Sequence, residues 1–242
     1  MSNSNLYKRT ILKKSLPSNH LAESRQLRIF LPPGYDERIA YPVVYCQDGE
    51  QFFNFGRIAT VATELILEQN IQPMIIVGVD VDVQKRTSEY SPEGQRFSAY
   101  CSFFIEELLP YIEGILPVRD TAEGRVIAGD SLGATVSLHL ALDHPSKLRN
   151  VLSLSGAYLA SSQSRVTHET NLSDLDIYML IGEQEQEVVT ANGTFDFLQL
   201  NRTMQGMLLE RKAQLVYREA DGKHIWGFWQ KYMAEALLHF FK

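Results

Sequence analysis

Two cysteines in 242 residues, Cys46 and Cys101, are too few for a disulfide framework. Each lies in an apolar run, so both read as reduced core thiols of an intracellular protein. Positive charge is scarce as well: 23 Lys and Arg stand against 29 Asp and Glu, a net −6. That balance excludes the basic face that nucleic-acid phosphates require. No stretch approaches the roughly 20 apolar residues of a membrane span. The opening "MSNSNLYKRTILKKSLPSNH" has basic residues but no apolar core of signal-peptide length. Repeats, low-complexity tracts and Pro/Gly/Ser linkers are missing too. These absences point to a single soluble, cytoplasmic domain over 1–242, with 1–20 as an irregular lead-in. Neither nucleic acid nor membrane is expected as a partner, and no pattern sets the oligomeric state.

What the chain does have is apolar residues, 45% of the total, enough for a sizeable core. "RQLRIFLPPGY" alternates at Leu27, Ile29 and Leu31 and stops at Pro32-Pro33-Gly34, as a strand open on one face would. "YPVVYCQ", "PMIIVGVDV" and "RVIAG" are continuous apolar bursts, suited to strands buried on both faces of a parallel sheet. Helical patterns fall between them, over 58–69 and 98–115. After Ser131 the alternation continues: a helix to about Leu142, strands at "NVLSLSG" and "DIYMLIG", a helix near 195–212, a strand at "AQLVYREA" and a helix over 225–241. Such βαβα alternation implies an α/β fold, a mostly parallel sheet with helices on both faces and no large lid. Ligands then bind beyond the carboxyl ends of the strands. The polar segment 157–175 reads equally as a small cap or as a surface excursion.

The chemistry centres on "VIAGDSLGATVSLHL". Gly129-Asp130-Ser131-Leu132-Gly133 follows a buried-strand signal and opens a helix, the context a nucleophile elbow requires. Ser131 would stand at the positive helix end, with the Leu132 N–H available to a developing oxyanion. The competing reading makes Asp130 or Ser131 a plain helix cap. A serine nucleophile needs a base. Of six histidines, His224 alone follows the last strand and precedes a helix, where its ring can reach back over the sheet edge. The orienting acid should follow an intervening strand, where Glu183, Glu185 and Glu187 are tied; Asp221 is near His224 in sequence only. Arg86, after the "VGVDV" strand, is either a contact for an anionic substrate or a solvated surface arginine.

These residues resemble the esterase D-like branch of the α/β-hydrolases, which holds enterochelin esterases, feruloyl esterase domains and mycolyltransferases. "YPVVYCQDGEQFF", "RTSEYSP", "FIEELLPYIE", "IAGDSLGA", "ALDHPSKLRNVLSLSG" and "DGKHIWGFW" are all similar to its segments, over about 27–241. The resemblance implies Ser131 as nucleophile, His224 as base and Glu185, three residues after Gly182, as acid. It implies backbone N–H donors from Leu132 and Glu50 for the oxyanion, with Trp229 in the family's tryptophan position as a candidate substrate contact. Ala134 and Lys223 depart from family glycines without removing a catalytic group. No metal or cofactor is implied. The expected activity is serine carboxylester hydrolysis through an acyl-enzyme, on a siderophore-type or other small acyl ester. An S-formylglutathione-type thioesterase is disfavoured by Gly-Asp-Ser-Leu-Gly in place of Gly-His-Ser-Met-Gly. Acyl transfer on the same fold and a catalytically silent scaffold are the further alternatives.

Overall fold

The structure, a computed structural model, describes residues 9–242. An N-terminal hairpin, β1 (Thr10–Ser18) and β2 (Glu23–Leu31), leads into β3 (Val43–Cys46). Short α1 (Gly49–Asn54) and α2 (Ile58–Gln69) then precede β4 (Ile75–Val79) and α3 (Val83–Tyr90). A helical segment follows as α4 (Phe97–Ser102), a π-helical stretch (Phe103–Leu108) and α5 (Leu109–Ile115). The second half runs β5 (Arg125–Asp130), α6 (Leu132–Asp143), β6 (Asn150–Leu154), α7 (Ala160–Thr167) and β7 (Asp176–Gly182). It ends with a hairpin of β8 (Val188–Thr190) and β9 (Gly193–Phe195), then α8 (Phe197–Glu210), β10 (Gln214–Ala220) and α9 (Trp226–Phe241).

The main sheet has the order β1-β2-β4-β3-β5-β6-β7-β10, with every pair from β4 to β10 parallel and β2 antiparallel to both neighbours. The central strands carry no polar face because both of their faces are covered. Along β3, Val43 and Tyr45 enter one core while Val44 and Cys46 enter the other. The first core packs under α5 and α6, the second under α2 and α9. Burial alone pushes the Cys46 thiol well above its usual range, and both cysteines are unpaired, as the sequence implied. Among the described residues no helix is long and apolar enough to cross a membrane.

Three local expectations change. Residues 1–20 are not an irregular lead-in throughout: 1–8 lie outside the described residues, but Thr10–Ser18 pairs over its whole length with β2. Its pattern is illegible because it is an edge strand with Lys13, Lys14 and Pro17, residues that protect such an edge. The helix expected over 98–115 widens to π geometry in its middle. The segment 157–175 is not a free surface excursion: it contains α7, which docks on α6 and α8, with Ser162 Oγ 3.0 Å from buried His139 Nε2, and its first residues, Ala157 and Leu159, border a pocket beside Ser131.

Candidate active site

Ser131, Glu185 and His224 each follow the carboxyl end of a strand, whereas Glu50, Arg86, Leu132 and Trp229 lie in helices. β5 carries Ser131 at its carboxyl end, at φ 53° and ψ −120°, a left-handed conformation costly for a residue with a Cβ. The turn forms because Gly129 and Gly133 touch: a Cβ on Gly129 would lie 2.1 Å from the Gly133 carbonyl carbon. The Ser131 N–H donates to Leu154 O on β6 at 2.9 Å, which ties the turn to the sheet. The Leu132 N–H, in the first turn of α6, has no intrahelical partner.

β7 ends in Gly182, where the chain turns back on itself. The Glu185 N–H donates to Gly182 O at 3.1 Å, and Glu185 Oε1 accepts from the Gly182 N–H at 2.9 Å. Glu185 is thereby folded inward and fully buried, while Glu183 and Glu187 are exposed. Its Oε2 lies 2.6 Å from His224 Nδ1. Asp221 is held away from the ring by Gln184 Nε2 at 2.5 Å. The Gln184 N–H donates to Gly222 O at 3.0 Å and joins the acid turn to the histidine loop. Four other histidines are engaged elsewhere: His20 with Glu106, His139 with Ser162, His168 with Ser164 O and His239 with Asp176.

Ser131, His224, Arg86 and Trp229 share a wide, open lobe of about 390 Å³, completed by Gln51, Asp130 and Trp226. Ser131, Leu132 and Arg86 also line a narrower lobe of about 250 Å³. The Glu50 backbone stands in the first turn of α1, but its side chain turns outward to Arg28, 3.1 Å away. Gln51 is the neighbour that faces the wide lobe, accepting from Trp226 Nε1 at 2.7 Å.

A family model described as "Putative esterase" matches residues 18–240. The chain belongs to this esterase family. It is therefore a carboxylic ester hydrolase with an α/β-hydrolase fold. Over 230 residues it is 36% identical to the uncharacterized protein YjcH of Bacillus subtilis (strain 168), spanning 94% of this chain and 96% of that one. It is 26% identical over 232 residues to iron(III) enterobactin esterase of Escherichia coli (strain K12), covering 91% of this chain but 54% of that protein. Among solved structures, a ferulic acid esterase matches at TM-score 0.82 and 20% identity, covering 96% and 98% of the two chains. Enterochelin esterase from Shigella flexneri matches at TM-score 0.82 and 23% identity, over 95% of this chain and 57% of the other.

The structure narrows the reading of two residues of the esterase. Arg86 is not a solvated surface arginine: Nε and Nη2 each reach fully buried Asp48 at 2.8 Å, and Nη2 also donates to Asp130 O at 3.1 Å. Burial works against its charge, but the Asp48 and Asp130 carboxylates raise its pKa above the ordinary arginine value. Trp229, expected as a substrate contact, is 3% exposed, and its indole N–H donates to Ser155 Oγ at 2.7 Å. Ser155 in turn donates to Glu185 Oε1 at 2.7 Å, and the Trp229 ring meets His224 edge to face at 5.0 Å. Trp229 is thus linked to Glu185 through Ser155 and packs directly on the His224 ring.

Sequence reasoning missed Ser155 and read Asp130 only as a helix cap. Ser155 is buried at φ 48° just past β6, so the strand-end rule would have pointed to it. Asp130, 5% exposed beside Ser131, is pushed up to about 7, first by desolvation and then by the Asp48 carboxylate, against the pull of Arg86. The hairpin β8–β9, whose tip borders the narrow lobe, was also missed; Thr190 pairs with Gly193 across the two-residue loop Ala191-Asn192, and Gly193, at φ 125°, is its turn signal.

Proposed function

We propose that this esterase is a serine carboxylester hydrolase in which Ser131, His224 and Glu185 act as a triad through an acyl-enzyme. The observation that carries the reading is the 2.6 Å contact between buried Glu185 and His224 Nδ1, with His224 and the strained Ser131 in one lobe. Glu185 fixes the imidazole so that Nε2 is the free nitrogen and stabilises the ring once it is charged. Ser131 Oγ attacks the carbonyl carbon as its proton passes to Nε2, and the carbonyl electron pair moves to the oxygen. The Leu132 and Glu50 N–H groups are the assigned donors to that oxyanion; losing a comparable donor costs about 10²–10³ in rate. Collapse breaks the bond to the alcohol oxygen, which takes the proton from His224. Water then repeats the sequence, with His224 as base, and releases the acid. No step calls for a metal or cofactor.

The substrate we assign is a small acyl ester. A siderophore-type trilactone draws support from the likeness to iron(III) enterobactin esterase. The geometry favours it less, because Arg86 is already paired with Asp48 and is not an open cation for an anionic ferric complex.

The test is labelling by a fluorophosphonate together with hydrolysis of p-nitrophenyl butyrate. Wild type should label and turn over, and Ser131→Ala should do neither, with a loss of about 10⁶ in rate if the triad works as a unit. A wild type that neither labels nor hydrolyses any ester would replace this reading with a silent scaffold.

A further inference from the structure

The cleft has two lobes, and the candidate catalytic residues are not shared evenly between them. Ser131 lines both, whereas His224 lines only the wide one. During acylation the leaving oxygen must collect its proton from the imidazole, so it lies within hydrogen-bond reach of His224. The alcohol half of the ester therefore extends into the wide lobe. The acyl half is attached to the other side of the same carbonyl carbon and is directed to the narrow lobe.

The walls of the lobes differ in chemistry. The narrow lobe is bounded by Val83 and Leu132, by Leu159 ahead of α7, and by Phe195 and Phe197. The tip of the β8–β9 hairpin, Thr190 to Asn192, closes its outer side. Phe197 also packs on His224, with ring centroids 4.4 Å apart, and so stands between the imidazole and this lobe. In the wide lobe Gln51 and Asp130 supply a polar wall and Ile225 and Trp226 an apolar one, while Arg86 borders both lobes and Thr87 the narrow one. Asp130 Oδ1 has no hydrogen-bond partner among the described residues, and Oδ2 stands 3.6 Å from Arg86 Nη2.

We propose that the two lobes sort the halves of the ester: a compact apolar or single-ring aromatic acyl group under the β8–β9 hairpin, and a polar, hydroxyl- or amide-bearing alcohol in the wide lobe. This assignment rests on the serine-esterase reading above and makes Val83 and Ala191 determinants of acyl size. Both are exposed, Val83 at 76%, so each can be enlarged without disturbing the core. Ile225, 56% exposed, offers the same handle on the alcohol side.

The experiment compares ratios of kcat/KM, which cancel any common loss of activity. One series varies the acyl group on p-nitrophenol: acetate, butyrate, octanoate and benzoate. The other holds butyrate constant and varies the alcohol: 1-propanol, glycerol and p-nitrophenol. In wild type, glyceryl butyrate should exceed propyl butyrate. Val83→Trp and Ala191→Trp should each lower the octanoate/acetate and benzoate/acetate ratios at least tenfold while the alcohol ratios stay within twofold. Ile225→Trp should do the reverse. The assignment is overturned if the two narrow-lobe variants move the alcohol ratios instead, or move neither series. A wild type that prefers the propyl ester removes the polar-alcohol half of the claim. Loss of all turnover in wild type would remove the esterase reading itself, and this assignment with it.

Discussion

Replacing Ser155 with Ala tests whether the Trp229–Ser155–Glu185 chain holds the acid for catalysis. The substitution deletes one hydroxyl that donates to Glu185 Oε1 and accepts from Trp229 Nε1, both at 2.7 Å. A hydrogen bond to a charged group contributes about 1.5–3 kcal/mol, and a buried N–H left unpaired costs about 1–3 kcal/mol. The two losses share one network and do not simply add, so a total near 2–4 kcal/mol is expected. For a chain of this size that lowers the melting temperature by roughly 5–15 °C. Glu185 keeps its contacts to the Gly182 N–H and to His224, so catalysis is weakened rather than abolished. A drop in kcat of about 10- to 100-fold, or about 1.4–2.7 kcal/mol, with KM little changed is the expected result. Trp229→Phe retains the Ser155–Glu185 bond and should lose less kcat. Steady-state hydrolysis of p-nitrophenyl butyrate and urea unfolding supply both readouts. A Ser155→Ala protein with wild-type kcat, or one altered only in KM, refutes the bracing role.

Three further outcomes follow from the geometry. Arg86→Ala leaves the buried Asp48 carboxylate without its counter-ion and should cost about 3–5 kcal/mol in urea unfolding; Lys, which lacks the bidentate fork, should restore only part of it. Gly129→Ala puts a Cβ 2.1 Å from backbone and should meet or exceed the ~3 kcal/mol upper end of ordinary overpacking, visible as a collapsed melting temperature. Asp130 has a folded-state pKa raised to about 7, by desolvation and by Asp48 against Arg86. Between about pH 4, where a free Asp titrates, and pH 7 the folded protein holds a proton that the unfolded chain has released, so stability falls as pH rises through that window. Asp130→Asn should flatten the melting temperature against pH from 4 to 8; an unchanged slope would contradict this titration.

The parallel strands were legible because continuous apolar runs such as "YPVVYC" and "RVIAG" have no other stable home than a sheet covered on both faces. Edge strand β1 was not, because its Lys-rich stretch buries little and its pairing with β2 is the whole reason it is extended. The π-helical turn at Phe103–Leu108 has no residue signature that separates it from its α-helical neighbours. Within the site, Ser131 and His224 could be read from strand-turn-helix context. Glu185 could be separated from Glu183 and Glu187 only by resemblance, since three glutamates on one loop carry the same local pattern.

By itself the sequence determined the alternation of strands and helices, the elbow glycines, and the order of Ser131, a loop of three glutamates and His224. These are local properties, set by hydrophobic period and by where a Cβ cannot be accommodated. The tertiary structure decided which carboxylate is buried against His224, that Ser155 links it to Trp229, and that Arg86 is paired with Asp48. It also decided that the cleft has two chemically different lobes. Each of these depends on side chains from separate strand ends meeting within 3 Å or lining one space, a distance relation that no spacing along the chain encodes.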